Sequence, residues 1–464
     1  MRPNVYLNGE LIDRTHEKVI AASSAMRLTF SLVDNPEFTE LLTAKSHITG
    51  KTINRFTHIH QSIDDLLKKQ EMTREICQYA GGCIQRCMGV DMMNALSVTT
   101  KDVDLKYGTN YNENFLKYLE YFQENDIVAA GGQTDTKGDR KKRPSEQWDP
   151  DQYLHVVERR KDGVVVRGCK VHNSHAPYCD EIIVTPTRVL KDNEKDYAIS
   201  FAIPADTEGI YLICRESSCF PRDANLDAPF TNMQDLESMT VFDDVFIPNE
   251  RIFLNGETEF AGQLALGFAL YHRHSYTGCK PASGDILMGL AALLAEYNGI
   301  RKESHVKSKL ADYISVAELI YAAGIASSVK AKERASGTWM PDVVYANVGR
   351  RHAGHNIFHE FDMLCDIAGG LSSTLPLSKE YNSPVVGDFV KKYIRRKEGV
   401  PEENIWRAFA LANDLLCGDY SAVSYQVAGM HGGGSPAMED VAIMGNYDID
   451  SKVELAKHLA GIDD

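Results

Sequence analysis

Two cysteines at positions 83 and 87 have a spacing that could bring both thiols to one metal centre. The segment reads Cys83-Ile-Gln-Arg-Cys87, and Gly81 and Gly82 precede it. On an α-helix, residues i and i+4 lie on the same face, so both sulfurs would point toward a single ion or cluster. Two buried core thiols one turn apart would give the same pattern, so the pair alone leaves both interpretations open.

A second segment brings together an imidazole, a phenol, a thiol and an ammonium. It reads His272-Arg-His-Ser-Tyr276-Thr-Gly-Cys279-Lys280. His272 and Cys279 are seven residues apart, which is two helical turns and hence one face of a helix. Because one histidine can replace a thiolate in an iron–sulfur cluster, this segment and the cysteine pair could together satisfy four ligand positions if they meet in the fold.

Two further motifs give weaker signals. The glycines of His431-Gly-Gly-Gly-Ser-Pro436 could let backbone amides approach an anionic group. His352, His355 and His359 have a helical spacing that suits a metal, but no carboxylate or thiol completes a known motif, so solvated or hydrogen-bonded histidines are favoured. No GxGxxG motif follows a strand, which disfavours a Rossmann dinucleotide fold.

The elements that must position these residues fall into three zones. Helical periodicity dominates residues 1–135, short β-branched segments separated by turn residues fill residues 136–257, and long apolar helices return over residues 258–464. This order predicts an α+β protein with an N-terminal helical domain, a middle antiparallel β-domain and a C-terminal helical bundle.

Composition narrows the class of protein. The 464 residues carry a net charge of −15, which argues against a nucleic-acid partner because phosphate binding needs clustered Lys and Arg. Neither a secretory signal nor an apolar stretch of bilayer length is expected, so we predict a cytoplasmic protein without membrane contact. Its ten cysteines would then stay reduced, as core thiols or as metal ligands.

At these motifs the chain resembles the 4-hydroxybutyryl-CoA dehydratase/vinylacetyl-CoA isomerase family, within the larger group that includes the flavin-dependent 4-hydroxyphenylacetate 3-hydroxylases. The likeness covers nearly the whole length and is dense in CIQRCMGVDMMNAL (83–96), in residues 106–151, in HRHSYTGCK (272–280) and in HGGGSP (431–436). The dehydratases, unlike the hydroxylases, have both the CxxxC pair and the HxxxYxxCK segment, and both are intact here.

The resemblance implies an acyl-CoA dehydrogenase-like homotetramer that holds a [4Fe–4S] cluster, FAD and an acyl-CoA thioester substrate. It implies cluster ligation by Cys83, Cys87, His272 and Cys279. It implies active-site roles for Gln85, Glu237, Tyr276, Lys280 and His272. It implies flavin contacts at Asp135, Lys137, Asp139, Arg140, Arg143, Ser145, His172, Asn173 and Ser174, where the family more often has a threonine at the last position.

The activity that the resemblance implies is a radical dehydration of a hydroxyacyl-CoA, with double-bond isomerisation as a related activity. A thioester acidifies its α-hydrogens, but it leaves the β-hydrogens unactivated and a γ-hydroxyl a poor leaving group. Flavin would supply one-electron chemistry and the cluster would supply a Lewis acid for the departing hydroxyl. His272 would serve as the β-base, with Tyr276 and Lys280 orienting charge.

One position departs from the family. A glutamate that acts as the α-base stands a few residues before the HGxGSP motif in the family, whereas ungapped matching places Ala428 there. Either Glu439 or Glu237 substitutes, or the substrate and the step differ. We therefore expect weak dehydration of 4-hydroxybutyryl-CoA itself. The alternatives are a flavin-dependent phenol monooxygenase, which would have no use for four cluster ligands, and a non-catalytic cluster-binding paralogue.

Overall fold

The computed structural model describes residues 1–215, 226–230 and 236–462. Its strands are β1 Val5–Leu7, β2 Glu10–Ile12, β3 Thr43–Lys45, β4 Thr52–Asn54, β5 Ala129–Gly132, β6 His155–Arg159, β7 Gly163–Ser174, β8 Glu181–Val184, β9 Ile199–Pro204, β10 Ile210–Arg215, β11 Glu237–Pro248, β12 Ile252–Asn255, β13 Lys332–Glu333 and β14 Trp339–Met340.

The helices fall mainly before β5 and after β12. They are α1 Glu17–Ala22, α2 Ser24–Ser31, α3 Thr39–Leu42, α4 Ile63–Ala80, α5 Cys87–Tyr107, α6 Tyr111–Glu124, α7 Thr258–Tyr297, α8 Ser304–Val329, α9 Val343–Ala368, α10 Leu371–Thr374, α11 Ser378–Tyr381, α12 Gly387–Tyr393, α13 Glu402–Cys417, α14 Asp419–Ser421, α15 Ala428–His431, α16 Pro436–Asn446 and α17 Asp450–Ala460. A π-helical segment, Ala422–Val427, joins α14 to α15. The order of helices, strands and helices confirms the predicted α+β class.

Two sheets form the middle of the molecule. One has six strands in the order β2-β1-β10-β11-β7-β6, and the other has four in the order β12-β9-β8-β5. Alternate β-branched and aromatic side chains from both sheets, such as Val166, Phe201 and Phe242, are buried in a shared core. Strands β1, β2 and β5 come from the first 135 residues, so that part of the chain completes both sheets. The domain boundary between residues 135 and 136 stays a prediction.

The long helices pack closely because small residues lie where they cross. Ser62 caps the start of α4, since its hydroxyl accepts a hydrogen bond from the Asp65 amide. Gly278 of α7 lies against α4, where an added Cβ would stand only 2.5 Å from the Gln70 carbonyl oxygen. This close approach brings the end of α4 and the start of α5 against α7.

A proline inside α7 leaves one backbone carbonyl for a neighbouring helix to satisfy. Pro281 has no amide hydrogen, so it cannot donate to the carbonyl of Thr277 four residues earlier. The Gln70 side chain of α4 donates to that carbonyl instead, over 3.3 Å, and also to the Tyr321 carbonyl of α8, over 2.8 Å. Gln70 therefore joins three helices beside the segment 272–280.

The expectation that no segment reaches bilayer length is corrected at α8. Among the described residues this one helix is long and apolar enough to cross a membrane by length and composition, with a mean hydropathy of 1.3 over its most apolar window. Only 33% of that window is buried inside the subunit, and Ile314, Leu319 and Val329 are exposed. The exposed face of α8 is therefore an apolar surface of the isolated chain.

Candidate functional site

Helix α7 carries the second motif as predicted, on one continuous α-helix. His272, Tyr276, Cys279 and Lys280 follow one another at i, i+4, i+7 and i+8, so their side chains share a face. That part of α7 packs against α4 and α5, which flank the cysteine pair. The fold thus brings the two motifs together.

The prediction that Cys83 and Cys87 lie on one helix is wrong. Helix α4 ends at Gly81 in the left-handed conformation, and α5 begins only at Cys87. Gln85 also has a positive φ, of 57°, which an α-helix cannot accommodate, so Cys83 lies in the turn between the helices. The two sulfurs approach through this turn rather than through helical spacing.

Thiols from three helices and the turn nevertheless converge. The pKa of Cys279 is raised well above its ordinary value, first by a hydrogen bond with the Cys83 thiol and then by burial. Burial raises the pKa of Cys87 and of Cys77, and the nearby Cys83 adds to both effects. Packed thiols without a cation favour their neutral form, whereas a bound metal or cluster would convert them to thiolates.

His272 completes this group through a carboxylate that the sequence analysis missed. Its Nδ1 lies 3.1 Å from Oδ2 of Asp91, and a ligand atom of Cys87, Asp91 and His272 lies within 4.8 Å of each of the others. Lys69 and Ser275 also donate to the Asp91 carboxylate. Burial acts to raise the pKa of Asp91, but the Lys69 ammonium and the His272 bond outweigh it and hold that pKa below its ordinary value.

Tyr276 links α7 to the glycine-rich segment. Its hydroxyl donates to the Gly429 carbonyl, and the Arg350 guanidinium lies 4.4 Å from the centre of its ring. Burial raises the pKa of Tyr276, so the phenol stays protonated at neutral pH. The backbone position next to Ala428 is therefore in direct contact with a predicted active-site side chain.

Two buried arginines hold the loop that follows. Arg350 donates to the carbonyls of Met430, over 2.6 Å, and Gly432, over 3.1 Å, and Arg273 donates to the Gly433 carbonyl over 3.0 Å. Glu439, at the start of α16, is buried with Oε1 3.5 Å from Nη1 of Arg350. Burial raises the pKa of Glu439, and the two arginines oppose that rise.

The remaining predicted active-site residues lie in different surroundings. Lys280 forms a buried ion pair with Glu360 of α9, with 3.0 Å between Nζ and Oε2. Gln85 accepts a hydrogen bond from the Tyr178 hydroxyl over 3.4 Å. Glu237, the first residue of β11, accepts a hydrogen bond of 2.7 Å from the hydroxyl of Ser174 on β7.

The predicted flavin segment 135–145 divides into engaged and exposed residues. Asp135 is buried, and its carboxylate is occupied by Lys170 at 2.8 Å and by the Leu154 amide at 3.0 Å. Arg143 donates to Glu194 and to the Val189 carbonyl. The exposed members are Asp139, Arg140 and Ser145, and Lys137, which is half-buried, has a φ of 72°.

Strand β7 supplies the other predicted flavin residues. Burial lowers the pKa of His172, and the nearby charges of Lys137 and His431 lower it further, so three basic groups from separate segments approach one another. Asn173 is buried and donates to Thr240 Oγ1 over 2.9 Å, but its Oδ1 has no hydrogen-bond partner within the described ranges. The basic groups suit the phosphates of an anionic cofactor, and the unsatisfied buried acceptor suits a ligand N–H.

The histidine triplet of α9 does not form a metal site among the described residues. His352 contacts Asn356 over 3.4 Å, and His359 lies 3.8 Å from Asp312 at the surface. In the described ranges, the one group of three potential metal-ligand side chains whose ligand atoms all lie within 4.8 Å of one another is Cys87, Asp91 and His272. The interpretation of the triplet as hydrogen-bonded or solvated histidines agrees with this arrangement.

Comparison with known proteins identifies the family. The profile of the 4-hydroxyphenylacetate 3-hydroxylase N-terminal domain matches residues 1–254, and that of its C-terminal domain matches residues 261–461. The chain is 41% identical to the 4-hydroxybutyryl-CoA dehydratase/vinylacetyl-CoA-Δ-isomerase of Clostridium aminobutyricum, over 100% of this chain and 97% of the relative. The chain belongs to the 4-hydroxybutyryl-CoA dehydratase/vinylacetyl-CoA isomerase family.

Solved structures agree with that membership. An oxygen-tolerant archaeal 4-hydroxybutyryl-CoA dehydratase from N. maritimus superposes with a TM-score of 0.96 at 38% identity, covering 100% of this chain and 93% of the other. The oxygenase component of 4-hydroxyphenylacetate 3-monooxygenase, complexed with FAD, gives a TM-score of 0.88 at 24% identity and covers 98% and 95% of the two chains. The second likeness shows the fold, which confirms the predicted architecture.

Proposed function

We propose that this protein is a [4Fe–4S]- and FAD-dependent hydro-lyase that dehydrates a hydroxyacyl-CoA thioester and also isomerises its double bond. The observation that carries the proposal is the convergence of Cys83, Cys87, Cys279 and His272 from a turn and two helices. The 41% identity to 4-hydroxybutyryl-CoA dehydratase/vinylacetyl-CoA-Δ-isomerase supports the reaction class.

The donor set fits the proposed cluster. Three thiols and one imidazole are an accepted ligand set for iron–sulfur chemistry, and the hydrogen bond between the Cys83 and Cys279 thiols places two sulfurs side by side. When bound, the cluster would supply Lewis acidity toward the leaving hydroxyl, with His272 as its one nitrogen ligand. The Asp91 bond occupies Nδ1 of His272 and leaves Nε2 for that role.

FAD is the proposed second cofactor, and it would supply one-electron redox chemistry when bound. The Lys137 ammonium offers positive charge for its phosphates, the imidazoles of His172 and His431 offer N–H donors, and Oδ1 of Asn173 offers an acceptor for a flavin N–H. Arg143 and Asp135 would act indirectly, because their charged groups already bind Glu194 and Lys170. The FAD complex of the structurally similar oxygenase component is consistent with this assignment.

The reaction requires two different proton transfers. The γ-hydroxyl leaves as water together with a β-proton, and conjugating the new double bond then moves an α-proton to the γ-carbon. Nε2 of His272 would be the β-base when it is not bound to iron, and Lys280, paired with Glu360, would stabilise negative charge nearby. Tyr276 holds its proton and donates to Gly429, which fixes the phenol beside the glycine-rich segment.

The α-base is the step at which this chain departs from its family. Ala428 cannot take a proton, so a carboxylate elsewhere must do so. Glu237 is the first candidate because it contacts Ser174, within the proposed flavin-binding strand. Glu439 is the second: burial raises its pKa, although Arg350 and Arg273 oppose that rise.

The proposed assembly is a homotetramer in the cytoplasm, where cluster thiolates stay reduced. Exposed apolar side chains on α8, together with Val441 and Met444 of α16 and Leu459 of α17, favour burial between subunits over exposure to water. Light scattering on the purified protein tests the oligomeric state: a mass of about 207 kDa, four times the 51.7 kDa chain, is expected, and a monomer would contradict it.

The function is tested by an anaerobic assay of water loss and double-bond migration on a series of hydroxyacyl- and enoyl-CoA thioesters. Wild type should convert at least one of these thioesters, and Cys83→Ala and Cys279→Ala should reduce that rate by at least about 10²-fold. Cys169→Ala is the matched control, since Cys169 lies on β7 and belongs to neither ligand motif, and it should stay active. Phenol hydroxylation with reduced flavin and oxygen, without thioester turnover, would favour the monooxygenase alternative.

A further inference from the structure

Asp91 is the centre of a polar group that is closed off from solvent. Its side chain is 0% exposed, that of Lys69 is 1% exposed, and both belong to helices that flank the cysteine turn. Lys69 donates to one oxygen, His272 to the other, and the Ser275 hydroxyl lies 3.1 and 2.9 Å from the two. A buried carboxylate with this many donors has a fixed orientation.

The same contacts distinguish Asp91 from a metal ligand. Both of its oxygens are already engaged by protein donors, so coordinating a metal would require breaking those bonds. Cys87 and Nε2 of His272 remain available beside it. Asp91 is one helical turn after Cys87 on α5, which lets it reach behind the imidazole while the thiol faces the proposed cluster.

The bond to Asp91 also determines which nitrogen of His272 can bind iron. A nitrogen that faces a carboxylate carries the proton, so the other nitrogen carries the lone pair. The ring of Phe268 stacks on that of His272, with centroids 5.7 Å apart and an angle of 21° between the planes. The carboxylate sets the rotation of the imidazole and the phenyl ring restricts its tilt.

We propose that Asp91 is a positioning residue that holds His272 in the Nδ1–H form, with Nε2 aimed at the iron that the thiols do not saturate, and that Lys69 neutralises this carboxylate. The inference rests on the proposed cluster function and deepens it. In this arrangement a chain of hydrogen bonds runs from Lys69 through Asp91 to His272, and His272 binds the metal. Asp91 itself touches neither the cluster nor the substrate.

Two double variants isolate the hydrogen-bond acceptor from the charge. Lys69→Met/Asp91→Asn removes both charges but keeps an oxygen that accepts from Nδ1, whereas Lys69→Met/Asp91→Leu removes both the charges and the acceptor at similar volume. Neither leaves an unpaired buried ion, so both are expected to fold. Circular dichroism and bound FAD verify folding, and Glu181→Gln, which alters a buried carboxylate of β8 paired with Arg251, is the control for general destabilisation.

The readouts are iron per subunit, the rate of iron loss to a chelator, and pulsed EPR of the dithionite-reduced protein labelled with ¹⁵N-histidine. The asparagine variant should keep the histidine nitrogen coupling. The leucine variant should lose that coupling, lose about one of the four irons and release iron at least about 10-fold faster. The role of Asp91 would be overturned if both variants kept the same histidine nitrogen coupling and iron content, or if both lost them to the same extent. Absence of iron from wild type would instead contradict the proposed function.

Discussion

Lys280 and Glu360 form an ion pair in the interior of the helical bundle, with Nζ 3.0 Å from Oε2 and side chains 3% and 1% exposed. The pair joins α7 to α9, and Gly284 makes room for it, since a Cβ there would stand 2.7 Å from Oε1 of Glu360. The pair thus fixes the position of the proposed active-site ammonium within the bundle.

Removing one partner of this pair should lower the free energy of unfolding far more than removing both charges does. Glu360→Gln leaves a buried unpaired ammonium, so we expect a loss of about 3–5 kcal/mol in the free energy of unfolding. Lys280→Met/Glu360→Gln should recover most of that loss. Anaerobic urea denaturation of the two variants and wild type measures the difference, and equal stability of the single and double variants would show that the pair is not coupled.

The crossing of α4 and α7 at Gly278 gives a second prediction. Gly278→Ala would push a methyl group against the Gln70 carbonyl and separate the helices that carry the proposed ligands, which should cost about 1–3 kcal/mol and reduce bound iron. Gly289→Ala is the matched control on the same helix: no atom lies within 4 Å of its added Cβ, so it should stabilise α7 by about 0.5–1 kcal/mol. Similar thermal shifts in both variants would contradict this account of the packing.

The sequence predicted the order of elements and the α7 motif because helical periodicity and β-branched patterning are local signals. The turn at Cys83 was mispredicted, because the left-handed conformations of Gly81 and Gln85 interrupt a pattern that reads as helical. The role of Asp91 was missed, because its partners Lys69 and His272 come from distant parts of the chain. A carboxylate four residues after Cys87, in the largely apolar first half of α5, was the available signal.

Acid should destabilise the protein through His175, which is fully buried in the connection between β7 and β8. Burial lowers the pKa of His175 to about 4, against 6.5 for an unfolded chain. Between these values the unfolded state binds the proton and the native state does not, so stability falls as the pH is lowered from 6.5 toward 4, by about 3 kcal/mol in total. Above pH 6.5 this contribution is fully present.

His175→Asn should reduce the dependence of stability on pH in that window, because asparagine tolerates the φ of 54° at this position and does not titrate. Denaturation midpoints at several pH values for wild type and variant measure the slope. His305→Asn, at an exposed histidine on α8, is the control and should leave the slope unchanged. An unaltered slope in His175→Asn would show that another group is responsible.

The α-base should be identified by hydrogen exchange in deuterated buffer. Ungapped matching predicts that Ala428 stands at the position of the family's glutamate, so we expect wild type to dehydrate 4-hydroxybutyryl-CoA weakly and Ala428→Glu to accelerate α-exchange on that thioester. Glu237→Gln should slow α-exchange on the favoured thioester by about 10²-fold or more, and Glu439→Gln should have a smaller effect. Efficient turnover of 4-hydroxybutyryl-CoA by wild type, unaffected by Glu237→Gln, would show that the base lies elsewhere.

The central claim, that a turn and two helices jointly hold a [4Fe–4S] cluster, is tested most directly by iron and sulfide analysis of anaerobically purified protein. Wild type should contain about four irons per subunit, and Cys279→Ala should lose most of them while Cys169→Ala retains them. Wild type without iron, or Cys279→Ala with its full complement, would contradict the proposed site.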